Sequence, residues 1–286
     1  MEKTVFLHYT QAELDRNFDQ RGWVQNALEV IGRYPELSKA TRARFEHRTL
    51  AFGPGEDETL DLFPARATKA PVQIFVHGGA WRNFSKDDYS FPADAYVPAG
   101  VHTVVLNFTN VPKVRLPQMA DQVRRGIEWV YRNAAGFGGD PERVYLSAHS
   151  SGAHLSALAL QRDAYVRAAT LVSGPFYLEP VVLSARSSYV KLEPHEVAEL
   201  SPGLHAERMT CPVIVAYAES DTDEFRRQSR EFAAALRKAG RLQNEVCHSG
   251  LNHFELMEKF ADPGHALVRG ILQQMGIERR QAWQRD

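Results

Sequence analysis

Cysteine is scarce in this chain. Its 286 residues contain only Cys211 and Cys247, which make no disulfide framework, and no Cys–His spacing resembles a structural zinc site. Both read as reduced core residues. An excess of either charge is also lacking: 34 basic against 35 acidic residues leave a net charge of −1. The electrostatic footprint of a nucleic-acid or anionic-membrane binder is therefore absent. No apolar run reaches the roughly 18 residues of a membrane span, and the apolar stretch in "MEKTVFLHYTQAELDR" is too short for a signal peptide, so a cytoplasmic protein is expected. There is no internal repeat, low-complexity tract or interdomain linker. What remains is a chain of 44% hydrophobic residues, long enough to bury one large core.

From residue 45 onward, short apolar runs alternate with helical patterns, the mark of a mostly parallel sheet wrapped by helices. "PVQIFVHGG", "VHTVVLNF", "RVYLSAH", "RAATLVSG", "PVIVAYAE" and "NEVCHSG" read as strands. "MADQVRRGIEWVYRNAA" carries Val123, Ile127 and Val130 at helical spacing, and "EFRRQSREFAAALRKAG" is a helix closed by Gly240. The first 45 or so residues are polar and helix-like, an N-terminal helical appendage to a single domain spanning 1–286. Between "LVSGPFYLEP" and "CPVIVAYAE", about residues 176 to 208, lies a stretch too long for an ordinary loop, so it reads as an excursion with its own short helices.

The chemistry concentrates at strand ends. In Ala148-His149-Ser150-Ser151-Gly152, small residues surround Ser150 at a strand-to-helix junction, a G-x-S-x-G-like elbow with alanine for its first glycine. A sharp turn there strains the backbone and crowds its neighbours, which small residues tolerate, and the following helix aims its N–H groups at the site. Ser151 is the rival nucleophile, but the register favours Ser150. "HGGAW", residues 77 to 81, follows a strand. Its glycines let bare N–H groups face a developing oxyanion, so Gly78 and Gly79, joined by the N–H of Ser151, are the expected donors. "AYAESDTDEF" offers Glu219, Asp221, Asp223 and Glu224 as the acid. Asp221 is preferred, a few residues past the strand end; Glu219 is the reserve, Asp223 suits a helix N-cap, and Glu224 is expected to face solvent or support the next helix's first turn. His253, in the loop before the last helical pattern, is the expected base, whereas His248, His149 and His154 read as packed core residues. His149 and His154 stand five apart, without the i, i+4 spacing of a helical metal pair.

Ser150, Asp221 and His253 follow one another in the order of the α/β-hydrolase triad. Together with "HGGAW", "AHSSGAHL", "LVSGPFYLEP", "DTDEFRRQS" and "NHFE", they make roughly residues 70 to 265 resemble the kynurenine formamidase (arylformamidase) branch of the esterase/lipase α/β-hydrolases, of HGGxW type. The resemblance implies an α/β fold with a mostly parallel central sheet flanked by helices, a cap over the site, and a serine hydrolase that needs no metal or organic cofactor. It implies a small-molecule ester or amide substrate, with aryl formamide first and a short-chain or aryl carboxyl ester as the alternative. A hydrolase fold without catalysis, serving as a binding protein, is disfavoured because no triad member or oxyanion glycine is missing. Trp81, Phe84, Phe176 and Tyr177 are candidates to line an aromatic slot. A homodimer is compatible with the sequence.

Overall fold

The computed structural model describes residues 3–277, so both ends of the 1–286 domain expected from sequence lie outside the described residues. Ten strands follow one another: β1 Thr4–Phe6, β2 Tyr9–Thr10, β3 Arg48–Ala51, β4 Thr59–Phe63, β5 Ala70–Val76, β6 His102–Leu106, β7 Gly139–His149, β8 Ala168–Val172, β9 Val213–Ala218 and β10 Leu242–His248. Eight of them form one sheet in the order β10-β9-β8-β7-β5-β6-β4-β3. Pairing is parallel from β10 to β6, and β4 and β3 continue it antiparallel. Strands β5, β6, β8 and β9 are buried along their whole length, as helices on both faces of a parallel sheet require. This is the α/β-hydrolase architecture.

The helix Leu116–Asn133 shows how a sequence pattern becomes packing. Met119, Val123, Ile127 and Val130 form its buried stripe, and the Arg115 N–H donates to Gln118 Oε1 at 2.8 Å across its first turn. The adjoining helix Ser151–Leu160 is buried at every position, so it runs through the interior and holds the elbow rigidly.

Several expectations are corrected here. The first 45 residues are not purely helical: β1 and β2 form a small antiparallel sheet ahead of the helices Gln11–Asn17 and Ala27–Arg44. Strands β3 and β4 escaped the sequence reading because β4 carries a charge in mid-strand. Asp61 is fully buried there, bonded by Thr49 Oγ1 at 2.6 Å and paired with Arg42 and Lys86. Since Arg42 belongs to the helix Ala27–Arg44, this buried pair ties the N-terminal segment to the sheet edge. Cys211 is in the core, but Cys247 is exposed on the edge strand β10 rather than buried. No helix among the described residues is long and apolar enough to cross a membrane.

Candidate active site

The C-terminal ends of β5, β7, β9 and β10 open on one crevice beside the point where the strand order reverses around β5 and β7. Ser150 stands at the end of β7 with φ 55° and ψ −127°, a conformation unfavourable for any residue with a Cβ. Its N–H donates to the Val172 carbonyl at 2.8 Å, which fixes the turn. Gly152 is what lets the turn close: a Cβ there would lie 2.3 Å from the His77 carbonyl oxygen.

His253 Nε2 lies 3.0 Å from Ser150 Oγ, and its Nδ1 lies 2.6 Å from Asp221 Oδ1. His253 is the first residue of the helix His253–Glu258, whose cap Asn252 accepts from the N–H groups of Phe254 and Glu255. The other carboxylate oxygen of Asp221 accepts from Ser173 Oγ at 2.6 Å and from the Ala218 N–H at 2.9 Å. All three side chains are buried. Ser173, in a left-handed conformation at φ 50° just past β8, is a support the sequence reading missed. Its only signal was a small polar residue at the strand end in "LVSGPF".

The other acids are accounted for elsewhere. Glu219 is exposed and accepts from Ser249 Oγ and the Gly250 N–H, which hold its carboxyl below the usual range. Asp223 pairs with Arg226, and the cap of that helix is Thr222, not Asp223. Glu224 does not face solvent: it is fully buried and paired with Arg227.

The loop after β5 runs against the elbow. Gly79 has φ 123°, and a Cβ on it would meet the Asn83 carbonyl oxygen at 2.1 Å, so only glycine fits. Among the described residues, the N–H groups of Gly78, Gly79 and Ser151 have no intramolecular acceptor. Gly79 and Ala80 reach the pocket wall and Gly78 does not, and the Ala80 N–H is equally free. Ala80 thus joins the candidate donors. The hydroxyl oxygen of Ser151 accepts from the Trp81 N–H at 3.1 Å and ties this loop to the helix behind the nucleophile. The His77 ring donates from Nδ1 to the Gly78 carbonyl at 2.7 Å, and burial pushes its pKa down to about 4, so it is neutral at pH 7.

Trp81 is not a pocket residue. It is buried to 1% and donates from its indole nitrogen to His154 Nδ1 at 3.2 Å. His154 must then carry its proton on Nε2, which donates to the Leu200 carbonyl at 2.8 Å. One hydrogen-bonded chain thus links the oxyanion loop to the 176–208 excursion. Trp81→Phe should leave His154 Nδ1 without a donor and lower stability by about 1 to 3 kcal/mol, read as an earlier urea midpoint at unchanged slope. Phe176, stacked on Phe232 at 4.1 Å, and Tyr177, packed against Gly203, also lie outside the pocket wall. Of the four expected aromatics, only Phe84 lines it.

The pocket itself measures about 640 Å³ and contains Ser150 and His253. Its remaining wall comes from segments the motifs do not mark: Phe18 and Tyr34 from the N-terminal segment, Tyr89 after β5, Tyr189 from the excursion, and Phe254. His149, expected as core, is buried and also reaches this wall, with Nε2 on the His253 carbonyl at 3.0 Å. The N-terminal segment is fastened to the loop that bears His253, since Tyr34 Oη donates to the Phe254 carbonyl at 2.7 Å and Asn26 bonds both Asn252 and Glu255.

The kynurenine formamidase of Salmo salar is 32% identical over 289 residues, covering 92% of this chain and 96% of its own. This chain belongs to the kynurenine formamidase family. A family model described as BD-FAE matches residues 60–167, which hold the HGGAW loop and the elbow. Esterase LipQ of Mycobacterium tuberculosis is 33% identical over 67% of this chain and 52% of its own length. Among solved structures, an esterase from Pyrobaculum calidifontis superimposes with a TM-score of 0.71 at 17% identity, covering 94% of this chain and 98% of that one. As a family member with this fold, the chain is a hydrolase acting on a small ester or amide.

Proposed function

We propose that the chain is an arylformamidase, cleaving the N-formyl group from an aryl amine such as N-formylkynurenine. The supporting observation is the aromatic wall made by Phe18, Tyr34, Phe84, Tyr89, Tyr189 and Phe254 around Ser150 and His253. An aryl leaving group buries well against such rings, and a formyl group needs almost no acyl space. The family's named activity points the same way.

In this reading Ser150 attacks the formyl carbon while His253 Nε2 takes its proton, and Asp221 holds the imidazole in the tautomer that leaves Nε2 free. The N–H groups of Gly79, Ala80 or Gly78, and Ser151 receive the negative oxygen of the tetrahedral intermediate. His253 returns the proton to the departing amine, and water then releases formate from Ser150. No step calls for a metal or organic cofactor. The residues before 45 and the 176–208 excursion act as parts of one domain, enclosing the leaving-group side. The free cysteines fit a reducing, cytoplasmic setting.

The second reading, a carboxylesterase, is favoured by the similarity to esterase LipQ. The test is a side-by-side kcat/KM for N-formylkynurenine, p-nitrophenyl acetate and p-nitrophenyl butyrate, with Ser150→Ala as the blank. The expected result is a preference for the formamide by about tenfold or more, equivalent to about 1.4 kcal/mol of transition-state binding. Good ester turnover with little formamide cleavage would replace the proposal with the esterase reading.

A further inference from the structure

Arg186 is a buried charge without a counter-charge, set in the wall of the active-site pocket. Its side chain is 93% removed from solvent, being 7% exposed. Nε donates to the Phe18 carbonyl at 3.1 Å, and Nη2 donates to the same oxygen at 2.8 Å and to Gln20 Oε1 at 2.5 Å. Nη1 has no hydrogen-bond partner among the described residues. No carboxylate among them comes within ion-pair distance; Asp19, whose charge acts on Arg186, is exposed. The rings of Phe18, Trp81 and Phe225 lie 5.3, 5.8 and 5.7 Å from the guanidinium carbon.

Aromatic faces offset part of the cost of burying a cation, but they leave two N–H groups of Nη1 unspent. A second arginine stands in the same wall. Arg82, exposed, lies 4.4 Å over the Tyr189 ring, again with no carboxylate partner among the described residues, and its charge acts on Arg186. The charges of Arg82 and Arg21 oppose that of Arg186, and of the acids in the same wall, Asp15 and Asp19, neither pairs with it. A structural clamp of the N-terminal segment would need only the contacts to Phe18 and Gln20, and a neutral donor serves for those.

We infer that Arg186, assisted by Arg82, is the binding site for a carboxylate on the leaving-group side of the substrate, so that the enzyme selects aryl formamides that bear a carboxylate over those that lack one. The inference rests on the arylformamidase reading for the identity of the leaving group. The unspent N–H groups of Nη1 offer a charge-assisted bond to a carboxylate oxygen, and the low-dielectric wall strengthens it. The aromatic rings then hold the aryl body between the arginines and Ser150.

Binding separates this inference from the hydrolytic reading, because it needs no turnover. Calorimetric titration of wild type, Arg186→Gln and Arg82→Gln with kynurenine and with its carboxamide, which keeps the ring and the ammonium group, isolates the carboxylate. Wild type should favour the carboxylate by about tenfold or more, the scale of a lost charge-assisted bond. Arg186→Gln should abolish that preference while the carboxamide changes by less than about twofold. Equal wild-type affinities, or a parallel loss for both ligands in Arg186→Gln, would overturn the inference and leave Arg186 a clamp. If Arg186→Gln does not fold, Arg82→Gln decides, because its exposed side chain only stacks on Tyr189: a preference reduced about threefold supports the inference, and an unchanged one overturns it. Failure to hydrolyse N-formylkynurenine in the wild type, by contrast, would refute the arylformamidase reading and not the anion site.

Discussion

Ser150→Ala should lower kcat by about 10⁵-fold or more while leaving the fold intact, because the serine's hydroxyl meets only His253 Nε2. Alanine keeps the Cβ, so the cost of holding φ 55° at the elbow is unchanged and the urea midpoint should barely move. Ser150→Gly should also be inactive, yet more stable by about 1 kcal/mol, since glycine adopts that conformation without strain. Inactivity with rising stability is the signature of a residue strained for function. Ser151→Ala should behave differently. It removes the acceptor of the Trp81 N–H, so the oxyanion loop loses one tie and kcat should fall by about tenfold, the worth of one buried hydrogen bond. If Ser151→Ala were the inactive variant and Ser150→Ala the mild one, the nucleophile would have been assigned one residue out of register. Burst-phase kinetics with p-nitrophenyl acetate read both cases.

That Ser150, Asp221 and His253 would meet was legible in the sequence for a physical reason. Ser150 and Asp221 each follow an apolar run that is buried at its C-terminal end, and His253 follows the short edge strand β10, so strand ends could be located, and catalysis on a parallel sheet occurs at those ends. The glycines of HGGAW were legible because no other residue fits φ 123° at Gly79. The pocket was not. Its wall is assembled from residues 15 to 34, 79 to 89, 149 to 150, 185 to 189 and 253 to 254, which are remote in sequence and joined by tertiary contacts such as Tyr34 to Phe254. Aromatic composition near a motif proved a poor guide: Trp81 sits beside the oxyanion glycines yet faces His154. Nor does a residue type reveal whether its charge is paired. Glu224 read as an acid facing solvent or supporting the helix's first turn and is buried against Arg227, while Arg186, one of many arginines, is buried with no ion-pair partner among the described residues.

Asp221→Asn should be nearly as damaging as losing the nucleophile, with kcat down about 10⁴-fold, and the hydrogen bonds around the carboxylate dictate how. Oδ2 accepts from two groups, the Ser173 hydroxyl and the Ala218 N–H. The second is a backbone donor that cannot reverse its role, so an asparagine amide nitrogen placed there would face N–H against N–H. The amide must therefore turn its oxygen toward Ala218 and its nitrogen toward His253. Nδ1 of the imidazole then has to accept, which moves the ring proton to Nε2, the atom that must take the proton of Ser150. The geometry would be preserved and the chemistry lost through the wrong tautomer. At alkaline pH, where Ser150 needs less help to ionise, part of the activity should return, and the pH profile of kcat in the variant should keep rising where that of wild type is flat. Asp221→Ala should lack this tautomer trap, leaving His253 free to choose either form but poorly oriented. Should Asp221→Asn match wild type at neutral pH, the carboxylate would be a structural partner of Ser173 and not the group that orients the base.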